Sequence, residues 1–224
     1  MKMKNILCFL LILLSFNGCK IDNYAEPDLT VSGRIIDSET NTPIESGGSN
    51  GGAIVKFYQG SSAQALLFKT LPDGSFTNSR VFAGSYRYVA EGPFQIATDT
   101  PSIVIKASTA IDIKTIPNVR LKASVVSHTD TTAVIKVEYE KVPAGQKLVR
   151  LGVVWSNVIH PNVFTFTGGN SITENVQSLN LTTGEREFTI SKLKSNTKYY
   201  IRASALTNAP GNYYNYSTQI ELQE

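Results

Sequence analysis

The sequence predicts an all-β fold made of two tandem β-sandwich domains. Short runs in which apolar and polar residues alternate recur along the chain, as expected for strands that bury one face. Segments rich in Gly, Pro, Asn, Asp and Ser separate these runs and are typical of turns. No stretch keeps a sustained helical period, and 224 residues suffice for two ordinary β domains.

The N-terminal segment has the pattern of a secretory signal peptide that ends in a lipidation site. A basic start precedes an apolar run over residues 6–14, and Gly18 stands directly before Cys19. The run is too short to span a bilayer. We expect a lipoprotein signal peptide over residues 1–18, acylation of Cys19 and a lipidated tether over residues 19–27. The alternative is a plain signal peptide followed by an ordinary cysteine.

Composition limits the chemistry and the partners of the mature chain. The full chain has a formal net charge of +3, and cleavage before Cys19 removes Lys2 and Lys4. The mature chain is then nearly neutral and has no basic run, so a surface for nucleic acid is not expected. The other cysteine, Cys8, lies in the segment that cleavage removes. Lipidation of Cys19 would therefore leave no disulfide, no thiol nucleophile and no cysteine zinc site, so an apolar core must stabilise the fold.

Residues 28–118 are predicted to form the first sandwich. Its first strand alternates over residues 29–36, and Pro72-Asp73-Gly74 is a tight-turn signal. The Gly-rich residues 47–52 are predicted to form a flexible loop. We place the domain boundary at residues 116–118. The remaining strands are predicted over residues 53–58, 65–70, 85–90, 102–106 and 110–114.

Residues 119–224 are predicted to form the second sandwich, because several strands recur over about 100 residues, as in immunoglobulin-like domains. In this pattern Trp155 faces the core, whereas Arg202 and Ser204 alternate with the apolar residues of their strand. Four alternating runs carry the prediction: residues 119–125, 133–139, 149–155 and 199–205.

Several motifs resemble known β-sandwich families. Residues 31–44, followed by Asp73-Gly-Ser-Phe76 and Phe82-Ala-Gly-Ser-Tyr86, resemble the transthyretin-like, carboxypeptidase-regulatory type of domain. Residues 193–199 resemble the tyrosine corner of fibronectin type III domains, with Ser195 where that family has Pro. The second resemblance implies that the hydroxyl of the corner tyrosine bonds to nearby backbone and holds the turn.

Two further segments, 151–156 and 199–203, look like modules common in surface proteins of Bacteroidetes. In this order behind Cys19, the motifs resemble a Bacteroidetes outer-membrane lipoprotein family of unknown function, whose members are often encoded beside glycan importers of the starch-utilisation type. The resemblance implies a lipid anchor in the outer membrane, with the cell surface as the expected face. It also implies polysaccharide and outer-membrane importer proteins as partners.

Four neighbouring residues of the predicted last hairpin are the candidate ligand-binding residues: Tyr213, Tyr214, Asn215 and Tyr216. Aromatic rings stack on the flat C–H faces of sugars, and an amide can bond the hydroxyl groups at their edge. The alternative is that Tyr214 or Tyr216 begins the last strand and packs inward. Three aromatic residues of the first half carry the same two interpretations, with packing favoured: Phe82, Tyr86 and Phe94.

Catalysis and metal binding are not expected. His128 and His160 lie in turn-like contexts, and no Ser lies in a nucleophile-elbow motif. The acidic residues of the tether and of the first turn lack the spacing of a calcium loop. We expect no catalytic residue, no metal and no cofactor. A carboxylate pair for glycoside hydrolysis would come together only in the fold, so spacing does not test it.

The predicted function is that of a lipid-anchored, non-catalytic outer-membrane protein. It would serve a polysaccharide-utilisation system as an accessory glycan-binding or scaffolding component. The alternative is a structural or adhesive surface protein that binds protein partners, and a hydrolase is the least favoured class.

Overall fold

The structure, a computed structural model, describes residues 25–96, 99–165 and 170–223. Within these residues sixteen β-strands and one short 3-10 helix account for the regular structure, so the predicted all-β fold class is confirmed. The predicted signal peptide and Cys19 lie outside the described residues. No helix of the described part is long and apolar enough to cross a membrane.

The strands before Pro117 form two sheets that enclose a common apolar core. One sheet has the order β4-β1-β7, with β8 also paired to β1, and the other has the order β3-β2-β5-β6. The strand bounds are β1 (Leu29–Asp37), β2 (Ile54–Gln59), β3 (Ala65–Lys69), β4 (Ser75–Val81), β5 (Gly84–Glu91), β6 (Ser102–Ile105), β7 (Thr109–Ala110) and β8 (Ile113–Thr115).

Residues 109–115, at the end of the first sandwich, differ from the single strand predicted over residues 110–114. They form two short strands, β7 and β8, which pair in parallel with β1. Ile111, between them, donates its amide hydrogen to the carbonyl of Ser32 at 2.9 Å. Alternation alone does not distinguish a parallel from an antiparallel neighbour, so this pairing was not predictable from the residues.

Aromatic side chains fill much of the first core. The rings of Phe57 and Phe68 stack with their centroids 4.7 Å apart. Tyr86 is buried and its hydroxyl donates to the carbonyl of Phe82 at 2.9 Å, and Phe94 is buried as well. Packing is therefore confirmed for Tyr86 and Phe94. It is wrong for Phe82, which is 44% exposed because it lies in the turn between β4 and β5.

The strands after Pro117 form two further sheets with a separate core. One has the order β13-β10-β9, and the other has the order β12-β11-β14-β15, with β16 also paired to β14. Their bounds are β9 (Val119–Thr129), β10 (Thr132–Lys141), β11 (Leu148–Ser156), β12 (Ser171–Asn175), the 3-10 helix (Gln177–Leu179), β13 (Thr183–Ser191), β14 (Tyr199–Thr207), β15 (Tyr214–Tyr216) and β16 (Ile220–Leu222).

Two expectations for the second half are confirmed. Trp155 is 4% exposed and packs in the core of this half. The hydroxyl of Tyr199 accepts a hydrogen bond from the backbone amide of Lys194 at 3.1 Å, which is the bond that the tyrosine-corner resemblance implied. Leu193, at the start of that corner, is buried as well.

The Gly-rich segment between β1 and β2 is packed rather than flexible. Gly47, Gly48 and Gly52 are buried. Gly51 adopts a φ of +75°, and a Cβ at this position would lie 2.2 Å from Cε2 of Phe164 in the second half. Because glycine has no Cβ, this loop can approach the second sandwich closely. Composition alone does not tell whether glycines serve such a close contact or a flexible loop.

Candidate functional site

The structure buries three of the four residues predicted to bind ligand. Tyr214, Asn215 and Tyr216 are each exposed by 5% or less. Tyr213, which directly precedes β15, is half-buried and lines a cleft. The arrangement favours the packing alternative for Tyr214 and Tyr216 and leaves Tyr213 as the member of the group that can meet a ligand.

Tyr214 and Tyr216 pack on the outer face of the sheet that contains β14. A segment between β11 and β12 covers them, and Phe164 of this segment meets Tyr214 edge to face with centroids 5.6 Å apart. The hydroxyl of Tyr216 accepts a hydrogen bond from the amide of Val163 at 3.1 Å. Burial raises the pKa of Tyr216 well above its ordinary value. The two tyrosines therefore form a small second apolar layer.

Asn215 joins the two halves of the chain through its side-chain amide. Its oxygen accepts from the amide of Val119 at 3.0 Å, and its nitrogen donates to the carbonyl of Pro93 at 2.8 Å. The amide of Asn118 donates to the same carbonyl at 2.9 Å. The connection between the sandwiches is therefore held by bonds on both sides rather than free to bend.

Arg202 is fully buried at this junction, although strand alternation placed it opposite the core face of β14. Its Nη2 atom lies 2.7 Å from Oε2 of Glu45 in the first half. Its Nη1 atom donates to the carbonyl of Ser46 at 3.2 Å, and its Nε atom donates to the carbonyl of Ser217 at 3.1 Å. The guanidinium also lies 4.4 Å from the ring centroid of Tyr216. The outer face of β14 is thus closed by the first sandwich.

A second arginine, Arg120, crosses the junction on its more exposed side. It contacts Asp37 and Glu39 of the first half, both at 2.6 Å, and Glu140 of the second half at 3.2 Å. Burial alone would raise the pKa of Asp37, but hydrogen bonds from Arg120 and from the amide of Glu39 outweigh it. The pKa of Asp37 consequently lies below its ordinary value.

A cleft of about 560 Å³ opens between the two sandwiches beside Tyr213, and we call it the Tyr213 cleft. Its lining from the first half is Glu91, Gly92, Phe94, Gln95 and Ile96, and its lining from the second half is Gln146, Ala209, Pro210, Gly211 and Tyr213. Gly211 has a φ of +96°, and a Cβ there would lie 2.2 Å from the ring of Tyr213. Glycine at this position therefore lets the tyrosine ring fold back over its own loop.

The Tyr213 cleft combines apolar surface with polar groups. Phe94 is buried in its wall, and Ile96 is 54% exposed at its edge. Glu91 pairs with Lys56 at 2.5 Å, and Gln95 is exposed. The hydrogen bond that Lys56 donates to the carboxylate of Glu91 raises the pKa of Lys56. An apolar pocket with a few directed polar groups is the usual form of a small-ligand site.

Hydrogen bonds hold the wall of the cleft that carries Tyr213. The backbone amide of Lys147 donates a hydrogen bond to the side-chain oxygen of Asn208 at 2.7 Å, and the backbone amide of Asn208 donates one to the carbonyl of Lys147 at 3.0 Å. The side-chain amide of Gln146 accepts from the hydroxyl of Thr207 at 2.8 Å and donates to Asn118 at 3.0 Å. Because both ends of its side-chain amide are used in these bonds, Gln146 contributes to the shape of the cleft and not to polar contacts with a ligand.

Among the first-half residues of this cleft, sequence reasoning singled out Phe94 and missed the others. Glu91, Gln95 and Ile96 lie more than 100 residues from Tyr213 along the chain, and no local motif marks them. The cleft exists only because the junction sets one sandwich beside the other. No signal in a single sequence would have brought these residues together.

A second cleft, of about 530 Å³, lies at the junction near Arg120. Its lining includes Asp37 and Glu45, whose carboxylates are engaged by Arg120 and Arg202. Those ion pairs hold the two halves together, so the charged groups of this cleft already have a structural use.

The histidines are not part of either cleft. His128 is exposed near the end of β9, and His160 lies in a turn with a φ of +55°. Burial and the neighbouring Arg202 lower the pKa of His160, which favours its neutral form. Within residues 25–96, 99–165 and 170–223, no group of three or more His, Cys, Asp or Glu residues is arranged to hold a metal ion.

Comparison with known proteins adds information on the fold. A scan against protein-family models finds no match, and a search of curated proteins finds none. Among solved structures, the chain is similar to a protein from Bacteroides uniformis called "putative carbohydrate binding protein". The identity is 20% and the TM-score 0.74, and the match covers 88% of this chain and 100% of that one.

Two further similar structures are described as DUF3823 family proteins. One, from Bacteroides uniformis, is 17% identical with a TM-score of 0.76 and matches over 88% of this chain and 99% of its own. The other, from Parabacteroides merdae, is 15% identical with a TM-score of 0.73 and matches over 89% and 100%. At these identities the similarity establishes the fold, which these proteins share over nearly the whole described chain.

Proposed function

We propose that this chain is a lipid-anchored, non-catalytic protein of the outer membrane that binds polysaccharide in the Tyr213 cleft. The observation that carries the proposal is the cleft itself, which a half-buried tyrosine lines together with Glu91 and Gln95. A ring offers a surface for the C–H face of a sugar, and the carboxylate and amide offer partners for its hydroxyl groups. The similar structure named for carbohydrate binding supports the same ligand class.

The anchoring part of the proposal rests on the N-terminal pattern that ends in Cys19. A lipid at this position would keep the two sandwiches next to the membrane, at the end of a short tether. A protein held there can present captured polysaccharide to an importer in the same membrane. We therefore place it in a polysaccharide-utilisation system as an accessory component, without a catalytic step of its own.

An array of polysaccharides tests the binding step. The full chain, purified in detergent from membranes of cells that export it, should retain at least one class of glycan. Tyr213→Ala should weaken that retention about tenfold, which corresponds to about 1.4 kcal/mol of lost stacking. Tyr200→Ala is the matched control, because Tyr200 is also half-buried but lies at the opposite end of β14.

Three results would contradict the proposal. A folded wild-type protein that retains no glycan would remove the binding function. Equal losses in Tyr213→Ala and Tyr200→Ala would remove the Tyr213 cleft as its site. Release of shortened sugars from any retained polysaccharide would show catalysis and overturn the non-catalytic assignment.

A scaffold that binds protein partners is the second candidate function. The observation that favours it is the junction, where Arg120, Arg202 and Asn215 hold the two sandwiches in one arrangement. A fixed spacing between two sandwiches suits a spacer. Crosslinking in intact cells distinguishes the candidates, because a scaffold should recover the same protein partners in the presence and absence of polysaccharide.

A further inference from the structure

One face of the sheet β3-β2-β5-β6 points away from the first core. Phe57 and Phe68 lie on its buried face, so the residues next to them in each strand point outward. Two of the outward residues are apolar and open to solvent, since Leu67 is 56% exposed and Val104 is 59% exposed. We call this surface the outer face of the first sandwich.

Three basic residues cross the outer face on a diagonal. Lys69 on β3 is paired with Ile54, which stands two residues before Lys56 on β2. Arg87 on β5 is paired with Tyr58, which stands two residues after Lys56. Each of the three basic residues is therefore a diagonal neighbour of the next one, on the adjacent strand and two residues along it. Diagonal neighbours in a sheet lie about 7–8 Å apart. We call this row the basic diagonal.

The outer face carries an excess of positive charge. Glu91 is the acidic residue paired with this part of β2, and its carboxylate engages Lys56 at 2.5 Å. Lys69 and Arg87 are exposed at the two ends of the basic diagonal. The guanidinium of Arg87 lies 5.7 Å from the ring centroid of Tyr58, which places a cation and an aromatic surface side by side.

The outer face is continuous with the Tyr213 cleft. Glu91 belongs to both, because it ends β5 on this face and also lines the cleft. Lys56 of the basic diagonal is tied to this shared residue by its ion pair with Glu91. A chain of sugars that occupied the cleft would therefore pass directly onto the basic diagonal.

We infer that the ligand of this protein is an acidic polysaccharide, which binds across both the Tyr213 cleft and the basic diagonal. The inference rests on the proposed function and names the ligand class of that same site. Carboxylate or sulfate groups along such a polymer would meet Lys69 and Arg87. Its C–H faces would meet the exposed apolar and aromatic surface at Leu67, Tyr58 and Tyr213. A neutral polymer would offer no acidic group to Lys69 and Arg87.

Binding of the full chain to three immobilised polymers tests this inference: polygalacturonate, chondroitin sulfate and a neutral galactan. We expect retention of one or both acidic polymers and at least tenfold weaker binding to galactan. Retention should fall as salt concentration rises, because salt screens exposed charges. Arg87→Gln and Lys69→Gln should each weaken acidic binding about three- to fivefold. Lys122→Gln, which removes a 74% exposed lysine of the second sandwich, should leave it unchanged.

Each other outcome overturns the inference in a recognisable way. Retention of neutral galactan alone, with loss in Tyr213→Ala, would leave the proposed function standing and remove the acidic ligand. Acidic binding that falls equally in Arg87→Gln and Lys122→Gln would show general attraction to a basic protein. Retention on vesicles of anionic phospholipid without retention of either acidic polymer would assign the outer face to a lipid surface. No retention of any polymer would contradict the proposed function itself.

Discussion

Arg202 on β14 and Glu45 in the loop after β1 form an ion pair across the junction, with 2.7 Å between Nη2 and Oε2. Arg202 is completely buried, and the side chain of Glu45 is 14% exposed. A buried charge is tolerated when its partner and further hydrogen bonds are present, and carbonyls from both halves supply those bonds. The pair thus makes the folding of one sandwich sensitive to the presence of the other.

Removal of one partner of this pair should be costly. Arg202→Met leaves Glu45 buried without its cation, and we expect the free energy of unfolding in urea to fall by about 3–5 kcal/mol. The double variant Arg202→Met/Glu45→Met should cost less than the sum of the two single variants, because no unpaired charge remains. Lys198→Met is the control, since its pair with Glu221 is exposed to solvent and should change the free energy of unfolding far less. Strict additivity of the two single variants would contradict an interaction between Arg202 and Glu45.

Asn215 should stabilise the junction independently of any ligand. Asn215→Ala leaves the amide of Val119 and the carbonyl of Pro93 without this partner in a buried place, which should cost about 1–3 kcal/mol in thermal or urea unfolding. The exposed Asn50 provides a control, because Asn50→Ala should change stability by no more than about 0.5 kcal/mol. Equal stability of the two variants would show that Asn215 does not hold the connection.

The close approach of Gly51 to Phe164 predicts a cost for an added methyl group. Gly51→Ala should destabilise the chain by about 2–4 kcal/mol, because it combines a positive φ with a clash against the ring. Gly60→Ala separates the two causes, since Gly60 has a φ of +53° and open space around it. We expect only about 1 kcal/mol for Gly60→Ala. Phe164→Ala should relieve part of the cost at Gly51, and no relief would argue against this contact.

Asp37 should make stability depend on pH in the acid range. A carboxyl group whose pKa is lower in the folded than in the unfolded chain stabilises the fold above the unfolded pKa of about 4. That contribution is lost as the pH falls through the lower folded value. Asp37→Asn should therefore reduce the free energy of unfolding at neutral pH, and its difference from wild type should shrink below about pH 4.

Urea unfolding over a series of pH values measures this effect. Asp130→Asn, which changes an exposed carboxylate in the turn between β9 and β10, serves as the control and should stay close to wild type throughout. A difference between wild type and Asp37→Asn that is the same at acid and neutral pH would show that Arg120 does not favour the ionised form of Asp37.

Cys19 should determine where the protein is found in the cell. In wild-type cells we expect the protein in the membrane fraction, with several acyl chains on the N-terminal cysteine in mass spectrometry, because several chains anchor far more firmly than one. Cys19→Ala should move the folded protein out of the membrane fraction. Membrane retention of this variant without acylation would contradict a lipid anchor at Cys19.

Local pattern was sufficient for much of the fold. Alternation placed Trp155 in a core, and the residues around Tyr199 predicted a hydrogen-bonded corner that the structure contains. These features depend on neighbours in the chain and on the two-residue period of a strand, which a single sequence displays. The same rule put Arg202 on the face opposite the core but did not predict its burial, because alternation reports the two faces of a strand and not what covers the second face.

The candidate site depended on contacts between distant residues. The sequence singled out Tyr213 together with Tyr214 and Tyr216, but it did not distinguish a half-buried tyrosine that lines a cleft from tyrosines that the segment around Val163 and Phe164 covers. Glu91 and Gln95, which complete the polar side of the Tyr213 cleft, carried no signal, because neither residue gains a functional neighbour until the two halves of the chain are assembled.

The sequence by itself determined that this chain is all-β, because the alternation of apolar and polar residues that marks half-buried strands is visible in the order of the residues. Tertiary structure alone decided that Arg202, Asn215 and Gly51 hold the halves together and that Tyr213 lines a cleft between them. The physical reason is that burial, ion pairing and cleft shape are properties of surfaces brought together from segments more than 100 residues apart. The spacing of residues along one segment contains no record of which distant surface will cover it.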